Sequence, residues 1–240
     1  MTYCVALALK DGLVFAADSR TNAGVDQIAT YRKLHKFVIP GERVIILMTA
    51  GNLATTQSVL SLMRMRLNSD QPNLFGAASL YDVASIVGAT GREVVARDSG
   101  QGQSGVDFGS SFIVGGQIQG EPPRLFLVYP EGNFIECTAD TPYFQIGETK
   151  YGKPILDRVI DYDTPLDDGI KCALISIDST IRSNLSVGLP LDVLRYPRDS
   201  FSDQAHFNVD EHHEGFRQLG EAWSQGLRDV FQRIPDLNWE

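Results

Sequence analysis

The fold of this chain is decided by residues 2–18, which read TYCVALALKDGLVFAAD. Two short apolar runs flank a turn at residues 10–12, and an Asp-Gly pair between apolar runs is typical of a β-hairpin. A three-residue loop with its glycine in the left-handed region would put Asp18 opposite Cys4, on the face of Thr2. A two-residue turn would reverse that face. We predict the three-residue loop.

Thr2 becomes the first residue of the chain if Met1 is removed. An N-terminal threonine carries a hydroxyl nucleophile and its own α-amine as general base. An unperturbed α-amine titrates near pH ~8, so a useful fraction is neutral at physiological pH and can accept the hydroxyl proton. A threonine in second position can also follow from the reading frame alone, so the rest of the chain has to decide between the two interpretations.

A second hairpin follows the first. Its predicted strands cover residues 31–39 and 43–49, joined by a Pro-Gly-Glu turn at residues 40–42. The second of these strands runs through Gly51 into an amphipathic helix over residues 52–67. Backbone N–H groups around Gly51 would therefore point outward from a helix N-terminus, where they can stabilise an oxyanion.

The rest of the chain is organised in blocks of strands and helices. The further predicted elements are helices over residues 79–96, 153–159 and 167–183, strands over 111–118, 124–129, 133–137 and 191–196, and an amphipathic helix over 209–234. Such blocks favour segregated layers. With 240 residues, 43% of them apolar, and no linker, we expect one domain over residues 1–240. The final helix either packs on the core or docks on a neighbouring subunit.

Composition excludes several classes of function. A net charge of −9 argues against nucleic-acid binding. The three cysteines, Cys4, Cys137 and Cys172, are not closely paired and indicate free thiols in a reducing compartment. The sequence shows neither an export signal nor an apolar segment of ~18 residues, so we expect a cytoplasmic protein without a membrane span. Neighbouring residues of the HHE run at 212–214 do not face one another on a helix, and we expect neither a metal nor another cofactor.

Several motifs resemble one known family. These are Thr2, the DSR and AG motifs within DSRTNAGVDQ (18–27), a lysine in the next strand and the TAG motif of TAGNLATTQ (49–57). Together they resemble proteasome β-type peptidases, which are related to the bacterial peptidase HslV. The full runs, together with GETKYGKP (147–154) and RSNLSVGLP (182–190), are similar to the bacterial proteasome-related family called Anbu. The resemblance covers most of the chain.

This resemblance implies an α+β fold, a four-layer αββα sandwich of the N-terminal nucleophile (Ntn) hydrolase type. It implies that Thr2 is the catalytic nucleophile, that Asp18 and Lys33 are its charged neighbours, and that Gly51 donates to the oxyanion. Ser186 resembles a retained member of the group that supports the nucleophile in the proteasome.

The position of the catalytic lysine differs slightly from the proteasome spacing. That spacing would place the lysine at Leu34, between Lys33 and Lys36. We choose Lys33 because the Arg32-Lys33 pair resembles the Anbu pattern. An ammonium near the Thr2 hydroxyl favours its alkoxide-like form, and a neighbouring carboxylate offsets the cost of burying the lysine.

The resemblance also implies roles in substrate binding and shows two departures. Thr21 would hydrogen-bond an extended substrate, and Tyr31 and Thr49 would shape the pocket for the residue before the cut. Glu148 and Ser183 stand where the proteasome has a supporting serine and aspartate. A carboxylate at Glu148 near the new terminus could hold its amine protonated, which disfavours that amine as a base.

The sequence therefore predicts a threonine hydrolase that cleaves peptide-like amides through an acyl ester on Thr2. Two alternatives remain: a self-assembling scaffold or binding protein with a vestigial site, and a narrow-specificity amidase of a metabolic pathway. The resemblance implies a homo-oligomer with an open helical or lock-washer arrangement. The sequence identifies no unfoldase partner.

Overall fold

The structure is a computed structural model that describes residues 2–22, 28–99 and 105–237. In chain order its elements are β1 (Tyr3–Leu9), β2 (Gly12–Asp18), β3 (Arg20–Asn22), β4 (Ile28–Thr30), β5 (Leu34–Ile39), β6 (Arg43–Gly51), α1 (Leu53–Arg66), α2 (Leu80–Ser99), β7 (Ser110–Ile118), β8 (Arg124–Val128), β9 (Phe134–Glu136), β10 (Tyr143–Gly147), α3 (Lys153–Val159), α4 (Leu166–Ser183), β11 (Leu191–Pro197), β12 (His206–Val209) and α5 (Glu214–Arg233). Met1 and residues 23–27 of the Anbu-like run lie outside the described residues.

Two antiparallel sheets stack face to face. One has the strand order β10-β1-β2-β11-β12 and the other β5-β6-β7-β8-β9, while β3 and β4 pair with each other. Helix α4 lies against the first sheet, with α3 and α5 packed on α4, and α1 and α2 lie against the second. The predicted four-layer αββα sandwich of the α+β class is confirmed.

The first hairpin is buried on both of its faces. Cys4, Ala6 and Phe15 belong to the apolar core between the two sheets. Val5 and Leu7 belong to a second core, between the first sheet and its helices. This explains why both faces of the hairpin are apolar in the sequence.

The predicted register of this hairpin is wrong. Residues 10–11 form a two-residue turn, so Cys4 pairs with Ala17 and not with Asp18. A Cβ on Gly12 would lie 2.0 Å from the carbonyl oxygen of Tyr196. The glycine is therefore required by the close approach of β11 to β2 and not, as predicted, by the turn.

The other differences lie mainly at the edges of the sheets. Strands β10 and β12 were not predicted, and both are edge strands of the first sheet. Their sequences, YFQIG and HFNV, mix polar and apolar residues, so they carry a weak strand signal. Because β12 occupies residues up to Val209, the final helix begins at Glu214 and not at residue 209. Separately, β5 begins at Leu34 and not at residue 31.

Candidate active site

A cavity of about 830 Å³ opens where four strand ends meet. Thr2 precedes β1 and Lys33 precedes β5, while Gly51 ends β6 and Gly147 ends β10. The predicted site residues that line it are Thr2, Thr21, Tyr31, Lys33, Thr49 and Gly51. The topology of the two sheets thus brings Thr2 together with Gly51 and with Gly147, which are 49 and 145 positions further along the chain.

Backbone contacts hold Thr2 at the mouth of this cavity. Its carbonyl oxygen accepts the N–H of Glu148 at 2.7 Å. Gly147 approaches the same group so closely that a Cβ there would lie 1.9 Å from the Thr2 carbonyl oxygen, and its φ is +87°. Only glycine fits at that position, which fixes the end of β10 beside Thr2.

Asp18 and Lys33 form a buried ion pair beside the cavity. Lys33 Nζ lies 2.6 Å from Asp18 Oδ1, with 6% of the lysine side chain and 0% of the aspartate side chain exposed. Lys33 Nζ also donates to the carbonyl oxygen of Arg20 at 2.7 Å. The Asp18 carboxylate accepts the N–H of Tyr3 at 2.9 Å and that of Gly188 at 3.3 Å. Burial raises the pKa of Asp18, and the Lys33 ammonium acts in the opposite direction.

Asp18 reaches Lys33 despite the corrected register because it is the last residue of β2. At that position its carboxylate bonds the N–H of Tyr3, the first residue of β1, at the end of the hairpin. The other candidates for the lysine position lie elsewhere: Leu34 is buried in the core between the sheets, and Lys36 pairs with Asp203 at 2.6 Å.

Gly51 is the last residue of β6 and lies two residues before the start of α1. Its φ is +107°, and a Cβ there would lie 2.5 Å from the carbonyl oxygen of Gly109. The N–H of Thr49 donates to the Lys33 carbonyl oxygen, and in a strand the N–H two residues later points to the same side. The Gly51 N–H is therefore directed beyond the beginning of β5, towards the cavity, next to the N-terminus of a helix that Asn52 caps.

Ser186 is not part of the cavity lining. It lies in the loop after α4, where its N–H donates to Asn184 Oδ1 at 2.9 Å. The loop meets the site through Gly188, whose N–H reaches Asp18. Ser183, the other residue of this region singled out by the sequence, is the exposed last residue of α4.

Glu148 does line the cavity, beside Thr2. Its Oε2 is buried and makes no hydrogen bond with the described residues. Lys150 Nζ lies 3.6 Å from the same oxygen. The carboxylate that departs from the proteasome pattern therefore sits next to the candidate nucleophile.

The wall of the cavity that α1 supplies was not predicted from the sequence. The residues of this wall recur at helical spacing and are Leu53, Thr56, Gln57, Leu60, Ser61 and Arg64. On the facing strand β5, His35 contacts Arg64, with Nδ1 and Nη2 3.5 Å apart. Burial, reinforced by the Arg64 charge, lowers the pKa of His35 to about 4. The helical spacing was the one signal in the sequence that pointed to this wall.

Neither a metal site nor a membrane span is apparent in the described parts of the chain. Over residues 2–22, 28–99 and 105–237, His, Cys, Asp and Glu side chains nowhere gather in a group of three that could hold a metal ion. In the same ranges, every helix is too short or too polar to cross a bilayer.

Comparisons with known proteins agree with this geometry. A family model described as proteasome subunit matches residues 2–193. Proteasome subunit beta 2 of Pyrococcus furiosus is 24% identical over 204 residues, covering 84% of this chain and 90% of that protein. Among solved structures, Anbu (ancestral beta-subunit) from Yersinia bercovieri is 57% identical with a TM-score of 0.95, covering 100% of both chains. The helical assembly of the Anbu complex from Pseudomonas aeruginosa is 54% identical with a TM-score of 0.95, covering 99% of both chains.

Proposed function

We propose, on the premise that this chain belongs to the proteasome subunit family and within it to the Anbu proteins, that it is an N-terminal threonine hydrolase acting on peptide-like amides. The observation that supports this proposal is the cavity that Thr2 shares with Lys33 and Gly51. A hydroxyl nucleophile, a buried cation and a backbone N–H at a helix N-terminus are the groups that acyl transfer through an N-terminal threonine needs.

The reaction would proceed in two halves. After removal of Met1, the α-amine of Thr2 takes the proton from Oγ, and the Lys33 ammonium stabilises the alkoxide that forms. Oγ attacks the carbonyl carbon of the substrate, and the Gly51 N–H donates to the resulting oxyanion. The amine returns its proton to the leaving nitrogen as the C–N bond breaks. A water molecule, deprotonated by the same amine, then hydrolyses the ester on Thr2.

The substrate would bind as an extended peptide along the cavity mouth. We assign Thr21 to the substrate backbone, and Tyr31 and Thr49 to the pocket for the residue before the cut, since all three line the cavity with Thr2. Ser186 would act from a distance, through the loop that meets Asp18. These assignments follow the family resemblance and the shared cavity.

We also propose that the chain is a cytoplasmic, one-domain subunit of a homo-oligomer. A solved relative at 54% identity forms a helical assembly. The distal half of α5 and the segment after it expose apolar side chains, namely Leu227, Val230, Phe231, Ile234 and Leu237. A second copy of the chain is the natural partner for this face. The three free cysteines support a reducing compartment.

A scaffold with a weak or vestigial site is the second candidate function. The observation that favours it is the Glu148 carboxylate beside Thr2, whose Oε2 is buried. A carboxylate near the new α-amine stabilises its protonated form, which cannot act as a base.

The intact mass of the purified protein, before and after exposure to a threonine-directed β-lactone, tests both candidates. If Thr2 is the nucleophile, Met1 is absent and one adduct forms. The adduct is missing in Thr2→Ala and present in Thr21→Ala, which removes a cavity hydroxyl of the same type. A retained Met1, or an unlabelled protein that still assembles, would instead support the scaffold.

A further inference from the structure

The lining of the cavity carries positive charge, on two exposed side chains, that the proposed chemistry does not use. Arg32 and Arg64 both line the cavity, and neither forms an ion pair with another described residue. Lys33 is matched by Asp18. Among the described residues of the lining, the one carboxylate belongs to Glu148, which lies beside Thr2 and has Lys150 near it. Within the described residues, a protein of net charge −9 thus keeps two guanidinium groups without an ion pair in the lining of this cavity.

The contact with His35 shows where the Arg64 head group lies. Arg64 is eleven residues after Leu53, or about 16 Å along the axis of α1 at ~1.5 Å per residue. Helical side chains lean towards the N-terminus, so its guanidinium is directed back towards the cavity mouth. A guanidinium only donates hydrogen bonds, so His35 Nδ1 must be the acceptor in the 3.5 Å contact. The lowered pKa of His35 keeps the ring neutral at pH 7 and able to accept.

We propose that this cavity selects an acidic side chain, glutamate above all, in the residue whose carbonyl Thr2 attacks. Arg64 is the specificity-determining residue, and His35 is a positioning residue that holds it. Leu53 and Leu60, also in the lining, suit the methylene groups of a glutamate whose carboxylate reaches the guanidinium. The inference rests on the proposed function, because it identifies the substrate class of that site.

Peptide epoxyketones that differ only in the residue next to the reactive group test this preference. Glutamate and glutamine differ in charge at nearly constant shape. We expect the Glu probe to label Thr2 about tenfold faster than the Gln probe, the effect of one charge-assisted hydrogen bond. Arg64→Gln should abolish this difference between the Glu and Gln probes. Arg64→Glu should favour a Lys probe.

The matched control is Arg228→Gln, which removes the same charge from the surface of α5, where Arg228 contacts Gln225. It should leave the Glu preference intact. Equal rates for the Glu and Gln probes in the parent protein would overturn the proposal while leaving Thr2 as the nucleophile. A Glu preference that survives Arg64→Gln would overturn the role of Arg64.

A binding measurement separates this inference from the proposed chemistry. In the Thr2→Ala protein, an N-acetylated tripeptide amide ending in Glu should bind about tenfold more tightly than its Gln counterpart, and Arg64→Gln should remove the difference. Failure of every probe to label, together with this binding preference, would refute the hydrolase and retain the acidic-ligand pocket. Equal dissociation constants would refute the pocket, and Arg64 would then only stabilise the last turn of α1.

Discussion

Asp18→Asn should destabilise the protein strongly, because it leaves the Lys33 ammonium without the carboxylate it was buried against. At 2.6 Å and an effective dielectric constant of about 20, the attraction lost is about 6 kcal/mol. Asparagine retains an oxygen for the N–H of Tyr3, and Lys33 retains the carbonyl of Arg20. We therefore expect the free energy of unfolding to fall by about 3–5 kcal/mol, as for other buried pairs that lose one partner.

Urea unfolding followed by circular dichroism, at equal protein concentrations, measures this loss. The matched control is Asp168→Asn, which breaks an exposed pair with Lys171 at 2.7 Å and should lower the free energy of unfolding far less than Asp18→Asn does. The double variant Asp18→Asn with Lys33→Met removes both buried charges and should recover most of the stability. If Asp18→Asn costs no more than Asp168→Asn, the argument that the buried pair organises the site is refuted.

Further predictions concern two glycines, a histidine and a glutamate. Gly51→Ala should abolish β-lactone labelling, because a Cβ there would lie 2.5 Å from a backbone carbonyl oxygen. In contrast, Gly88→Ala should cost about 1–3 kcal/mol of stability, because its Cβ would lie 2.1 Å from the carbonyl oxygen of Gly132. It should leave the labelling rate per folded molecule unchanged. The pKa of His35 is about 4, against an ordinary value near ~6.5. Between these two pKa values the unfolded chain binds more protons at His35 than the folded chain does. The contribution of neutral His35 to the free energy of unfolding is therefore complete above pH ~6.5. It decreases towards pH 4, by up to about 1.4 kcal/mol per pH unit. Urea unfolding of His35→Gln should show a smaller loss between pH 7 and pH 5 than the parent. Finally, Glu148→Gln should speed labelling near pH 7, since the carboxylate favours the ammonium form of the Thr2 amine; a slower rate would show that it assists instead.

The layers of this fold could be predicted from the sequence, whereas one register could not. The apolar residues on both faces of the first hairpin are consistent with a sheet that is covered on both sides. In the structure, the neighbouring residues Cys4 and Val5 lie in different apolar cores, one on each face of the sheet. Gly12 misled the prediction because one sequence pattern, Asp-Gly, fits both a turn and the close approach of a third strand. Only the position of β11, which lies almost 180 residues further along the chain, distinguishes these two causes.

Residues of the candidate site could be predicted where a motif carried them. Thr2, Gly51 and Lys33 were identified by family-like runs and meet in one cavity. His35 and Arg64 were missed because their proximity depends on how α1 packs across β5, and their spacing in the chain carries no information about that packing. Residues 31–33 precede β5, so the alternation of side chains along a strand does not determine where the Lys33 side chain points. The one-residue shift of Lys33 from the proteasome spacing can therefore be accommodated there.

The way Thr2 is attached explains how cleavage before it can leave the site intact. β1 begins at Tyr3, whose N–H is held by Asp18 and which pairs with Gly147. The carbonyl oxygen of Thr2 accepts the N–H of Glu148. All these bonds lie on the C-terminal side of the Thr2 Cα atom, so loss of the preceding residue removes none of them. A new α-amine would therefore appear on a residue whose backbone is already fixed at the cavity mouth. The fold, and not the proposed removal of Met1, would then supply the energy of positioning the proposed nucleophile.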